Sequence, residues 1–189
     1  MSETQTMPVK DPFHTITHLL PPFTADAIIH DNGRGTDEVT KAIMESNPPE
    51  GIIIKATDRN QYMIDSCREF VIAGNWPVEA VVLPAQSLTF LDNQFTRLFS
   101  NFLISNLHDD HDPAAKQVYR TLKPGSTAIV STWAAIARGE PIKRAHLKTR
   151  GPDVPFPMAM PIHWYGKDAL KNFFYCRGIQ GGGYQDHDL

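Results

Sequence analysis

Twice near its start the chain runs from a short β-branched stretch into an acid, and then into a turn that opens a helical pattern. Ala27-Ile28-Ile29-His30-Asp31 passes into Asn32-Gly33-Arg34-Gly35, after which Val39, Ala42 and Ile43 fall on one helical face. Asn47-Pro48-Pro49 stops that helix, and Gly51 to Asp58 (GIIIKATD) repeats the device. From Gln61 onward, Met63, Ile64, Cys67, Phe70 and Val71 again lie on a single helical stripe. Strands separated by whole helices cannot be hairpin partners; they lie parallel and need cover on both faces. Val78 to Leu83 reads as a third strand, and Thr96 to Ile104 as a fourth behind the Asp92-Asn93 turn. Asp112-Pro113 opens a further helix with Ala115, Val118, Tyr119 and Leu122 on its apolar face. Lys123-Pro124-Gly125 ends it, and Ser126 to Trp133 is the fifth strand. The expected fold is α/β: a doubly wound, mostly parallel sheet of about five strands with helices on both faces.

Around this core the boundaries follow composition. Residues 1-22 form an amino-terminal arm, with a short helix at Thr15 to Leu20 broken by Pro21-Pro22, and residues 23-189 form the domain. Within it, 134-165 reads as a lid or insertion, because a basic stretch from Lys143 to Arg150 is followed by Pro152, Pro155, Pro157 and Pro161. Gly166 to Tyr175 is a last helix, and 178-189 a flexible, glycine-rich tail. The 189 residues are 41% hydrophobic and 21% charged, an ordinary globular balance. A chain of this size buries about 70% of its unfolded surface, so it needs no staples. Cys67 and Cys176 have no metal-binding spacing, which argues against a zinc module and for a reducing compartment. A net charge of -3 gives no field for nucleic acid. No apolar run approaches the ~18 residues of a membrane span, and the first residues lack a secretory pattern. A cytoplasmic protein with no membrane and no nucleic-acid partner is expected.

In an open parallel sheet, ligands collect beyond the carboxyl ends of the strands, where strand order reverses. Gly33 and Gly35 would let the backbone approach a ligand closely, with Asp31 at the rim. Asp58, at the next strand's end, suits a ribose diol, since a carboxylate accepts two hydroxyl hydrogen bonds. Glycine pairs after a strand are also common turn devices. A dinucleotide site needs a third glycine; here Thr36-Asp37-Glu38 follows, and two acids at a helix start repel a pyrophosphate. A nucleotide-dependent dehydrogenase is therefore disfavoured, and a sulfonium or amine would be tolerated.

From Phe23 to Ile179 the chain resembles the class I S-adenosylmethionine-dependent methyltransferases, a Rossmann-like family, and is similar to the small-molecule members of fungal secondary metabolism. Asp31 to Asp37 (DNGRGTD) looks like the D-x-G-x-G-x-G loop, and Ala56-Thr57-Asp58 with Met63-Ile64 like the second motif. Ala85-Gln86-Ser87-Leu88 resembles the segment beside adenine, Phe99-Ser100-Asn101-Phe102 the fourth strand, and Tyr119 to Gly125 (YRTLKPG) the turn before strand five. The resemblance implies S-adenosylmethionine as cofactor, no metal, and O- or N-methyl transfer to a small metabolite. It implies cofactor contacts at Asp31, Asn32, Gly33, Gly35, Asp58, Arg59, Met63, Ala85, Gln86, Ser87 and Asn101. The chain also departs from the family. Asp37 replaces a glycine, Arg34 would bring a cation to the methionine end, and Pro84 replaces an acid beside adenine. The usual last two strands are not found, which leaves strand five as an open edge to be covered by a second copy, the tail or another partner. A homodimer or hetero-oligomer through that edge is expected. The departures also support an alternative, a catalytically degenerate methyltransferase-like protein acting as partner subunit, scaffold or non-methylating catalyst in a biosynthetic pathway.

Methyl transfer from a sulfonium is an in-line displacement that needs geometry and dryness more than a base. Where the acceptor is a hydroxyl, His163 is the expected catalytic base, since imidazole titrates near neutrality. His14 and His18 on the arm, with Phe102, Trp133 and Trp164, are expected around the substrate; aromatics there also serve as core or lid packing. The cluster His108, Asp109, Asp110, His111 and Asp112 reads as a solvated loop running into a helix cap, and Lys143, Arg144, Lys148 and Arg150 as solvated surface.

Overall fold

Five strands, all parallel, follow one another through the chain. The computed structural model describes residues 20–35, 38–107, 111–133, 139–156 and 167–175. Strands β1 (Ile28–Asn32), β2 (Ile53–Asp58), β3 (Val78–Val82), β4 (Phe95–Ser100) and β5 (Leu122–Val130) form one sheet in the order β3-β2-β1-β4-β5. Each neighbouring pair is parallel. Between and after them come α1 (Glu38–Glu45), α2 (Gln61–Gly74), α3 (His111–Thr121), α4 (Gly139–Arg150) and α5 (Lys167–Tyr175). Strand order reverses at β1, which lies between β2 and β4, so the crevice for a ligand opens above the β1 and β4 ends.

The two-residue period of the strands divides the core between the faces. Ile29, Ile54 and Phe99 meet Val39, Ala42 and Ile43 of α1, while Ala56 and Ala80 meet Ile64 and Cys67 of α2. On the other face Leu98 packs with Ala114, Ala115 and Val118 of α3 and Phe173 of α5. Helices thus cover both faces, and each fully buried Ile, Leu or Phe contributes about 1.5–3 kcal/mol. Asn60 caps α2 by accepting from the Tyr62 N–H at 2.9 Å, and Asn75, at φ 49, ends it in the left-handed region.

Three boundaries differ from the sequence expectation. β4 stops at Ser100 rather than Ile104, because Phe102 takes φ 51, the chain turns, and Ile104–Asn106 winds a single 3₁₀ turn. Ile104 is apolar because it is core beneath α3, not because it continues the strand. β5 begins at Leu122, which pairs with Phe95, and the register slips before Thr127 meets Arg97. Lys123-Pro124-Gly125 is therefore an irregularity inside the strand, with Gly125 at φ 78, instead of a helix terminator. The basic stretch expected in a lid loop lies within helix α4. His146 Nε2 meets the Val154 carbonyl at 2.9 Å, and its ring stands edge-on to Phe156, closing the chain behind that helix. Among the described residues no helix is long and apolar enough to cross a membrane. Most of the expected arm, residues 134–138 and 157–166 of the expected lid, and the tail lie outside the described residues.

Candidate functional site

At the carboxyl ends of the strands a cleft of about 390 Å³ opens between the loop after β1 and the loop after β4. That lies within the ~300–1,000 Å³ typical of small-ligand sites. Its walls include Gly33 and Gly35 after β1, Asp58 at the tip of β2, Arg59, Met63 of α2, Ala85 and Gln86 after β3, and Asn101 after β4.

The glycine turn is built against β2. The Gly33 and Arg34 N–H groups both donate to the Thr57 carbonyl, at 2.9 and 3.0 Å, and the Gly35 N–H donates to Asp58 Oδ2 at 3.1 Å. Gly33 and Gly35 adopt φ 72 and φ 52, and a Cβ on Gly33 would stand 2.5 Å from Leu103 Cδ1. Three successive amides are thus committed to β2 and are not offered as a nest for a pyrophosphate.

Asp58 is held from both sides. Its Oδ1 accepts from the Asn60 N–H at 2.8 Å while Oδ2 accepts from Gly35. Each oxygen keeps further lone-pair capacity, so the carboxylate is fixed in orientation yet able to take the two hydroxyls of a vicinal diol.

Asp31 is not at the rim. It is 1% exposed beneath the loop, where Oδ2 accepts from Thr40 Oγ1 at 2.6 Å and from the Thr40 N–H at 3.2 Å, tying β1 to α1. Oδ1 has no partner among the described residues. Burial pushes the Asp31 pKa up to about 6, against the pull of Thr40 and Arg34. Asn32, one residue on, faces the other side of the sheet and donates from Nδ2 to Ser100 Oγ at 3.2 Å. Neither it nor Asp31 lines the cleft, and Ser87 stands exposed in the Pro84 turn outside it.

Arg34 does line the cleft, and it is only 4% exposed. Its guanidinium reaches along α2 and Nη1 donates to the Met63 carbonyl, on the Asp58 side of the loop. On the opposite wall Ser131 Oγ donates to Asn101 Oδ1 and accepts from the Phe102 N–H at 3.0 Å, joining the ends of β4 and β5. The Phe102 ring stacks on Trp133 with centroids 4.1 Å apart and planes at 20°, leaving Trp133 50% exposed at the cleft mouth. A non-glycine residue at φ 51 is uncommon backbone, of the kind that clusters at functional sites.

His14, His18, Asp37, His163 and Trp164 lie outside the described residues, as do His108, Asp109 and Asp110. Among the described residues no group of three or more His, Cys, Asp or Glu could hold a metal ion. Sequence reasoning did not select Glu38, Asn60, Leu83, Leu103, Asn106 or Leu107, which also line the cleft. Asn60 was legible as a helix cap two residues after an acid; Leu103 to Leu107 depend on the reversal at Phe102, which a phenylalanine does not announce.

The family model for the methyltransferase domain matches residues 30–130, from β1 to the end of β5. The chain is 26% identical over 180 residues to the methyltransferase ktnA of Aspergillus niger, covering 82% of this chain and 59% of that protein. It is 29% identical over 115 residues to the ubiquinone/menaquinone biosynthesis C-methyltransferase UbiE of Hydrogenovibrio crunogenus, covering 59% of this chain and 44% of that protein. The chain thus spans less than two thirds of the length of either relative. Among solved structures, a SAM-dependent methyltransferase from Aquifex aeolicus superposes with a TM-score of 0.59 at 17% identity, over 67% of this chain and 66% of that one.

Proposed function

Because the chain belongs to the methyltransferase-domain family, the class I S-adenosylmethionine-dependent methyltransferases, we propose that its cleft binds S-adenosylmethionine and that it methylates oxygen or nitrogen of a small metabolite. The observation that carries this reading is Asp58, a carboxylate clamped by the Gly35 and Asn60 amides at one wall of a cleft. The donor set fits an adenosyl group: a diol acceptor in Asp58, apolar Met63, Leu83 and Ala85 for the face of a base, and a glycine bend that leaves room above it. When bound, the cofactor supplies a methyl group on a positive sulfur that leaves as a neutral thioether.

The chain's own contribution is to hold, orient and keep dry. Asp58 and the loop fix the sugar, and Asn101, tied to Ser131, holds the far wall. Phe102 and Trp133 offer a flat apolar face at the mouth, which suits them to position an acceptor and exclude water. His163 remains the proposed base, with His14, His18 and Trp164 around the substrate. A role in secondary metabolism belongs to the same proposal.

Arg34 favours a second reading, the degenerate protein that binds a partner or catalyses a different step. It places a buried cation in the wall of a site meant for a sulfonium. Calorimetry with S-adenosylhomocysteine tests both. The methyltransferase reading expects saturable micromolar binding, at least about tenfold weaker in Asp58→Ala because a charge-assisted hydrogen bond is lost. No binding to the natural sequence would favour the second reading.

A further inference from the structure

Register places Asn101 and Ser131 side by side. The last paired residues of β4 and β5 are Ser100 and Val130, and the Ser131 N–H donates to the Ser100 carbonyl at 3.1 Å, so the next two residues leave the sheet together. Their side chains are joined with a fixed polarity. A backbone N–H can only donate, and the Phe102 N–H donates to Ser131 Oγ at 3.0 Å, while the hydroxyl hydrogen goes to Asn101 Oδ1. Asn101 therefore shows Ser131 its carbonyl oxygen. Its Nδ2 has no partner among the described residues, on a side chain that lines the cleft. Asn106, the other carboxamide on this wall, already gives its Nδ2 to the Phe102 carbonyl at 3.2 Å.

We propose that Ser131 is a positioning residue: it turns the Asn101 carboxamide so that Nδ2 donates to the carboxylate at the amino-acid end of the cofactor. The inference rests on the adenosyl reading of the cleft. With the diol on Asp58 at the tip of β2, and Leu83 and Ala85 after β3 offered to the base, the 5′ substituent runs the other way, across β1 toward β4. Two strand spacings are about 10 Å, within the span of an extended homocysteine tail. The loop amides along that route are committed to Thr57 and Asp58, so the carboxylate is left to a side-chain donor. Without the Ser131 hydroxyl the carboxamide is free to rotate, and it then presents an oxygen to the carboxylate for part of the time.

The test is calorimetric, on the full chain, with two probes that share base, ribose and thioether: S-adenosylhomocysteine, and 5′-methylthioadenosine, which lacks the amino-acid end. Ser131→Ala should bind the first about tenfold more weakly, the loss of one charge-assisted hydrogen bond, and the second within about twofold of the natural sequence. Ser131→Thr, which keeps the hydroxyl, should restore the first to within about threefold. Ser131→Ala also strips the Phe102 N–H of its acceptor, so a double-mutant cycle separates the two effects. Asn101→Ala should show the same selective loss, and adding Ser131→Ala to it should cost nothing more. If Ser131→Ala does not fold, Asn101→Asp decides, since it keeps an acceptor for the Ser131 hydroxyl and removes only the donor; it should lose S-adenosylhomocysteine selectively. Equal weakening of both probes, no weakening of either, or a full further loss in the Asn101→Ala background would overturn the inference and leave the adenosyl site standing. Failure of both probes to bind the natural sequence would overturn both readings.

Discussion

His30 and Asp31 are neighbours on β1 that face opposite sides of the sheet, and burial moves their titrations in opposite directions. His30 lies between a stacked Phe95 and an edge-on Phe90, with Nε2 on Thr57 Oγ1, and burial pushes its pKa down from 6.5 to about 3. The unfolded chain then takes up the proton first, so this group's contribution to stability rises with pH from about 3 to 6.5. Asp31, raised from 3.8 to about 6, has the opposite sign: its contribution is full below 3.8 and is lost as pH climbs through about 6. Between pH 4 and 6 the two slopes, each about 1.4 kcal/mol per pH unit, nearly cancel. Asp31→Asn keeps an acceptor for Thr40 and removes one slope. Denaturant melts should show the variant equal to the natural sequence near pH 4 and more stable by up to about 3 kcal/mol at pH 7; a constant offset across that range would contradict the assignment. Gly33→Ala tests the turn. A Cβ at φ 72 and 2.5 Å from Leu103 should cost about 1–2 kcal/mol in unfolding free energy, whereas a neutral result would mean the loop is free to relax.

Among the elements, one side chain gathers three points of the segment from β3 to β4. Arg120 of α3 donates from Nη1 to the Phe90 carbonyl at 2.7 Å and to Asp92 Oδ1 at 2.6 Å, and from Nη2 to the Leu88 carbonyl at 3.0 Å. Gln117 Oε1 receives its Nε and Nη2 as well. That segment carries Ala85 and Gln86 into the cleft, so the clamp joins an element far from the ligand to its wall. Arg120→Ala should lower unfolding free energy by about 2–3 kcal/mol and weaken S-adenosylhomocysteine binding. Arg120→Lys should restore less than half of the stability, because an ammonium cannot reproduce the fork. Full rescue by lysine would reduce the clamp to simple charge. The sequence showed this turn as a recognisable motif without showing its mechanics. It also showed the strand-acid-glycine units at Asp31 and Asp58, since those are written in local turn chemistry and β-branched runs. The ends of β4 and β5 were hidden because each is decided by pairing across the sheet: Phe102 reverses the chain at a backbone angle its side chain does not signal, and Leu122 joins a strand only because Phe95 lies opposite.

At the scale of the molecule, placing β1 between β2 and β4 is what turns five separate apolar runs into one site, since Asp58, Gln86 and Asn101 arrive at the cleft from three different strand ends. That convergence was legible as topology before it was visible as geometry; the inward turn of Asp31 and Asn32 was not, because burial of a polar side chain depends on partners such as Thr40 and Ser100 that lie elsewhere in the chain. β5 is an outer strand of this sheet, and the proposal that a second copy or another partner shares its edge predicts an assembly larger than the 21.2 kDa chain in sedimentation. A monomer at all concentrations would remove that proposal without touching the cleft. The cleft itself is tested most directly by amide NMR during titration with S-adenosylhomocysteine. Shifts concentrated at Gly33, Gly35, Asp58, Met63, Gln86 and Asn101, and lost in Asp58→Ala, are the predicted result; saturable shifts that map elsewhere, or no shifts at all, would contradict it.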